Sequence, residues 1–327
     1  MKILSSIHQK DLWWSLQLLC NRLGAELYCM SGMEWYEQGY FMMHPHPDKK
    51  DPLGYMAKRF LVDDVWEGKA LPTQRGCSDF PALRLLKFED FKSTDIDVII
   101  CTNRENEIPF HRLKAIKPNL KFVRQVGNRF DRVDKELYPN ALFSDKESYE
   151  MNSCPNQLLY HQEFDLNLFK SEPITNAKNI YSFQHNLEKY EPAEELWTQY
   201  QHQFPEYNFQ SFGKGNDGGY IYPKCDYIKK MLESTFIWQV KNWEGYSHVI
   251  HNSFALGRPM ILRQEDIKGR IFEPLCTRDT VIFTDQIDGL RTAYFQNMSK
   301  SCRQMFEVIV NFDAEFVSIK HLFENLL

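Results

Sequence analysis

Glycine is scarce in this sequence, at 15 of 327 residues. A protein built on several glycine-rich phosphate loops needs more, because such loops demand backbone angles that other residues resist. No Gly-x-x-x-x-Gly-Lys-Ser/Thr loop, Gly-x-Ser-x-Gly elbow or His-Glu-x-x-His pair occurs. Those absences set aside a P-loop triphosphatase, an α/β-hydrolase and a zincin protease. The eight cysteines, at 20, 29, 77, 101, 154, 225, 276 and 302, include no Cys-x-x-Cys pair. Neither a zinc ribbon nor a thioredoxin-type site is therefore expected. No run approaches the roughly 18 apolar residues of a membrane span. The start, Met-Lys-Ile-Leu-Ser-Ser-Ile-His, meets Gln, Lys and Asp at once and lacks the apolar core of a signal peptide. A cytoplasmic location without membrane insertion is expected.

Charge of one sign is not in excess either. The net charge is -5, and the halves on either side of residue 168 are both slightly acidic. A dedicated nucleic-acid binder would be more basic. One window departs from this: residues 101–135 hold nine Lys/Arg against four Asp/Glu. It reads as a solvated face or as a surface for an anionic partner.

What is present is an ordinary globular balance, 43% hydrophobic and 25% charged, with 24 Phe and 16 Tyr to fill a core. Short apolar runs alternate with helical patterns. Strands are expected at 2–7, 25–30, 97–102, 121–126, 141–144 and 157–160, with helices at 11–23 and 109–116. Gly24 should stop the first helix. The run Asp-Val-Ile-Ile-Cys-Thr at 97–102 marks a strand buried on both faces. Residues 31–80 carry Pro45, Pro47, Pro52 and Pro72 and read as long loops. A polar stretch over 168–178 reads as a hinge, after which the alternation restarts. Strands are expected at 179–183, 207–212, 235–240 and 260–263, and helices at 192–204, 227–233, 246–256 and 301–327. The pattern predicts an α/β protein of two Rossmann-like, doubly wound parallel-sheet domains, 1–168 and 169–327. Ligands of such sheets bind beyond the carboxyl ends of the strands, and the cleft between the two domains is the expected site.

The most informative segment runs Trp243-Glu244-Gly245-Tyr246-Ser247-His248-Val249-Ile250-His251-Asn252-Ser253-Phe254-Ala255-Leu256-Gly257-Arg258-Pro259. A polar loop enters a helix at a Gly-aromatic-Ser turn, and Gly-x-Pro ends that helix before an apolar strand. Free N–H groups at the helix start make an anion site. Tyr246 and Ser247 add hydroxyl donors, and Glu244 can accept from sugar hydroxyls.

This segment resembles the donor-binding segment of GT-B glycosyltransferases, in particular the large retaining group 1 family. Glu244-Gly245-Tyr246-Ser247 and Ala255-Leu256-Gly257-Arg258-Pro259 match the family pattern. Asn252 stands where the family has a second Glu, and Ser5-Ser6-Ile7-His8 stands where it has a Gly-Gly pair. Phe164–Phe169 looks like the family's inter-domain segment, and the tail looks like its final helix, which crosses back to the N-terminal domain.

The resemblance implies a transferase that moves a sugar from a nucleotide diphosphate such as UDP. The acceptor is unidentified: a glycan, a small metabolite, a protein or a modified DNA base. Retention of configuration and independence of metal are implied, with the nucleotide sugar as co-substrate and no cofactor. Glu244 is the expected catalytic carboxylate, with Asn103 and Gln125, just past N-terminal strand ends, beside the reacting groups. Gly213, Lys189, Lys241, Gly245, Tyr246, Ser247, His248 and Asn252 are the expected donor contacts, and Lys214 is a further candidate for the diphosphate. Glu244, His248 and His251 have metal-ligand spacing, but Gly245 interrupts the helix between them. Asp95-Ile96-Asp97 precedes its strand, the wrong end of a sheet for a metal-diphosphate pair. A sugar-nucleotide epimerase and a non-catalytic nucleotide-sugar-binding module are the alternatives on the same fold.

Overall fold

A computed structural model describes residues 1–5, 10–31, 35, 84–102, 111–185, 187, 192–213, 215–221, 224–240 and 245–327. The chain divides into two compact units. One is Met1–Phe164 with Phe312–Leu327, and the other is Asp165–Asn311.

The first unit opens with β1 (Lys2–Ser5) and the helix α1 (Lys10–Leu23). Gly24, at φ +64, ends α1. Its N–H bonds to Asn21 O at 3.1 Å, and that of Ala25 bonds to Cys20 O at 2.8 Å. This crossed pair of end bonds needs a left-handed residue, which glycine adopts without strain. There follow β2 (Glu26–Ser31), β3 (Arg84–Lys87), β4 (Val98–Cys101), β5 (Lys121–Val126), β6 (Asn140–Phe143), the helix α2 (Lys146–Met151) and β7 (Asn156–Leu159). All seven strands are parallel, in the order β3-β2-β1-β4-β5-β6-β7. The central β4 is buried at every residue. That is the consequence of helices covering both faces of a parallel sheet, and the reason its sequence runs Val-Ile-Ile-Cys without polar alternation.

The second unit contains β8 (Asn179–Ser182), α3 (Ala193–Gln203), β9 (Asn208–Ser211), α4 (Lys224–Leu232), β10 (Phe236–Trp238), α5 (His248–Ala255), β11 (Met260–Leu262), β12 (Val281–Phe283) and α6 (Phe295–Ile309). Its five strands are parallel in the order β12-β11-β10-β8-β9. One face packs aromatics densely. Trp238 of β10 meets Trp197 and Tyr200 of α3 edge-on at 5.5 and 5.3 Å.

The tail differs from the single helix expected over 301–327. α6 ends at Val310, which is extended (φ -96, ψ 104), and a separate helix α7 (Phe312–Glu324) follows. The reason is that the apolar series Phe306, Ile309, Phe312, Phe316 serves two cores. Phe306 belongs to the second unit and Phe312 to the first, where Phe312 packs edge-on against Phe164 at 5.5 Å.

Candidate functional site

In the second unit, β8 has β9 on one side and β10 on the other. The connections leave in opposite directions from this point, so a crevice opens above the carboxyl ends of β8 and β10. Three loops and one helix start meet this edge.

The loop after β8 carries Gln184, and the loop after β9 is the glycine-rich stretch over 213–219. Asn216 ties the two together. Its amide nitrogen donates to Gln184 O at 2.6 Å and to Phe212 O at 2.8 Å, and its oxygen accepts from Leu187 N at 3.0 Å. Gly213 sits at φ +113, against His185, and a Cβ there would run into the imidazole. The ring of His185 meets Tyr220 edge-on at 5.0 Å.

After β10 the chain passes Gln239 and reaches the start of α5. Arg270, nearly fully buried, donates from Nη2 to Gly245 O at 2.7 Å and so holds the entry turn. Tyr246 stacks on His251 at 4.5 Å with 13° between the rings, and meets His248 edge-on at 4.9 Å. His251 Nδ1 lies 2.9 Å from Ser247 O. A carbonyl only accepts, so the proton sits on Nδ1 and the imidazole is fixed in that tautomer. Both imidazoles are thus held by aromatic contact with Tyr246. Among the described residues, no group of three His, Cys, Asp or Glu is placed to hold a metal ion.

Ser247 is the residue before the first turn of α5, yet its side chain makes no cap bond. It is 8% exposed, and its hydroxyl oxygen has no hydrogen-bond partner among the described residues. Hydroxyl and helix-start N–H groups together form a donor cluster suited to an anion. The far end of α5 is closed by Gly257 at φ +65, with Gly257 N to Phe254 O at 3.0 Å and Arg258 N to Ser253 O at 2.8 Å. Arg303 of α6 donates to Ala255 O at 2.6 Å, placing a cation at the helix's negative end.

The expected site residues therefore distribute as follows. Gly213, Gly245, Tyr246, Ser247, His248 and Asn252 belong to the carboxyl edge of the second sheet or to the helix that starts there, Asn252 being 2% exposed within α5. Glu244, Asn103, Lys189, Lys214 and Lys241 lie outside the described residues. Gln125 is 1% exposed and enclosed in a polar network with Ser144 and Gln162, its Nε2 lying 3.3 Å from Ser144 Oγ. Asp97 precedes β4 and accepts from Lys2 N at 2.7 Å, which accounts for one carboxylate of the Asp-x-Asp pair at the amino edge of its sheet.

The basic window does not form one face. Arg124 is buried, bonding Cys101 O, and Arg129 pairs with Glu147, while Arg112 and Lys114 are exposed. Three contributors to the edge were not marked by any sequence motif: Gln184, Gln239 and Arg270. Only the strand order shows that they share it.

Two parallel-sheet α/β units of this topology define the GT-B class of fold. No family model matches the chain, and no curated protein matches it by sequence. Solved structures match it in fold. A sucrose-phosphate synthase from Thermosynechococcus elongatus is similar with a TM-score of 0.66 and 11% identity, over 100% of this chain and 99% of that one. The lipopolysaccharide outer core galactosyltransferase WaaB gives 0.61 and 8%, over 100% of both chains. The pneumococcal O-GlcNAc transferase GtfA, solved with UDP and GlcNAc, gives 0.60 and 7%, over 100% of this chain and 99% of that one.

Proposed function

We propose that the chain is a glycosyltransferase that moves a sugar from a nucleotide diphosphate donor to an acceptor. The observation that carries the reading is Ser247: a buried hydroxyl without a partner among the described residues, at the start of α5, above the switch point of the second sheet. The donor's diphosphate fits these helix N–H groups and this hydroxyl. As the sugar leaves, negative charge grows on the diphosphate, and preorganised dipoles stabilise it without reorganising. Such a site needs no metal, and the reading includes metal independence. Glu244, next in sequence to this turn, is the proposed acceptor of hydroxyl hydrogens from the donor sugar. Retention of configuration follows the segment's resemblance. The presence of UDP with GtfA supports a uridine nucleotide.

The test is thermal. UDP or GDP at about a hundred times its Kd should stabilise the folded chain by about 2.7 kcal/mol through mass action, and the melting temperature should rise. The rise should persist in EDTA. No shift with any nucleoside diphosphate at millimolar concentration would defeat the proposal, and a shift abolished by EDTA would defeat its metal independence.

A further inference from the structure

Two glutamines stand at the switch point of the second sheet. Ser182 and Trp238 are paired across β8 and β10. Gln239 is one residue beyond that pair and Gln184 two residues beyond it, on neighbouring strands roughly 4.8 Å apart. Gln184 is 3% exposed and Gln239 4%. Both amide atoms of Gln184, and the amide oxygen of Gln239, are buried without a hydrogen-bond partner among the described residues. Most buried polar side chains are satisfied, and each exception calls for a reason. A glutamine that served only packing would be replaced by leucine at a gain in stability, because an unmet buried amide opposes folding. The backbone at Gln184 is also anchored. Asn216 grips its carbonyl at 2.6 Å and the N–H of Leu187 at 3.0 Å, so the backbone that carries the amide is fixed between two loops.

The chemistry of the free atoms narrows the ligand. Two amide oxygens need hydrogen donors, and one amide nitrogen needs an acceptor. A phosphate oxygen accepts and never donates when ionised, so it would answer only the nitrogen. A hydroxyl both donates and accepts. We propose that Gln184 and Gln239 are a neutral specificity pair that hydrogen-bonds the hydroxyls of the donor's sugar ring, beside the diphosphate at the start of α5. This rests on the donor reading above.

The test separates sugar from nucleotide. Gln184→Leu, Gln239→Leu and the double variant are titrated calorimetrically with UDP and with UDP-glucose, UDP-galactose and UDP-N-acetylglucosamine. GDP and GDP-mannose form a second set. The wild-type chain should bind at least one nucleotide sugar more tightly than the matching diphosphate. Each leucine should weaken that sugar nucleotide on the order of 10-fold, while UDP or GDP stays within about 2-fold. The ligand-free variants should melt at the same temperature as wild type or higher.

Equal losses for diphosphate and nucleotide sugar would put the base or phosphates at the glutamines and overturn the assignment. Unchanged binding with a lowered melting temperature would make the pair structural. A wild-type chain that binds UDP but no nucleotide sugar more tightly would also overturn it, leaving the diphosphate site standing. A wild-type chain that binds no nucleoside diphosphate would remove the donor reading itself, and this inference with it.

Discussion

Ser247 shows how much a single residue can say. A serine at the start of a helix ordinarily bonds the N–H groups of the first turn, and losing that bond costs about 1 kcal/mol. Here the cap bond is not made, and the hydroxyl is buried with no partner among the described residues. Ser247→Ala should therefore leave the ligand-free melting temperature unchanged or raise it. It should weaken UDP binding roughly 10-fold, the worth of one hydrogen bond to a charged group. Calorimetric titration beside a thermal melt checks both, and unchanged UDP affinity would remove Ser247 from the site. The sequence made Tyr246 and Ser247 legible because a Gly-aromatic-Ser turn before a helix is a local pattern. Gln184, Gln239 and Arg270 were not legible. Nothing within a few residues of them differs from ordinary loop chemistry; the glutamines take their meaning from β8 and β10 meeting across more than fifty positions, and Arg270 from its bond to Gly245, 25 residues back. Gln125 illustrates the converse: the sequence reading set it just past a strand end, whereas it lies within β5, enclosed beside Ser144 and Gln162.

At the scale of elements, α5 is defined by its two ends. At the first, the side chain of Ser247 makes no cap bond, and the second is shut by Gly257. The left-handed angle at 257 costs a residue with a Cβ about 1–2 kcal/mol. A Cβ there would also stand 3.1 Å from Ser299 O, a backbone atom of α6 with little room to yield. Gly257→Ala should lower the thermal midpoint by that amount or more while UDP affinity per folded molecule stays near wild type. A neutral effect on stability would mean that α6 gives way. Among the strands recovered from sequence, β4 and β10 are written as unbroken apolar runs. β3 was missed because Arg-Leu-Leu-Lys is only four residues long and carries charge at both ends. β12, Val-Ile-Phe, has three residues, too few for any period to register. α2 is six residues, and its signal is the cap at Asp145, which accepts from Ser148 N at 2.9 Å.

For the whole molecule, the chain passes from the first unit to the second once and returns once, so α7 must be anchored to a unit it left some 150 residues earlier. Arg22 of α1 does much of this. It bonds Glu163 at 3.0 Å and Asp313 at 2.8 Å, and stacks over Phe316 at 4.1 Å. His161 adds its backbone N–H and Nδ1 to Glu315, at 2.8 and 2.6 Å. The carboxyl of Glu163 is nonetheless raised above its ordinary value of 4.5. Burial outweighs the attraction of Arg22, and Asp313 and Glu315 push the same way. The sign follows. Between 4.5 and its raised native value, the folded chain holds a proton that the unfolded chain has released. Stability from this group is present on the acid side and is lost as pH rises through that window. Glu163→Gln cannot release the proton, so its stability should fall less steeply over the same range. Denaturation of both forms at several pH values between about 4 and 7 measures the two slopes. Identical slopes would mean that Glu163 ionises as it does in the unfolded chain, and that the α1–α7 junction is wetter than its packing implies.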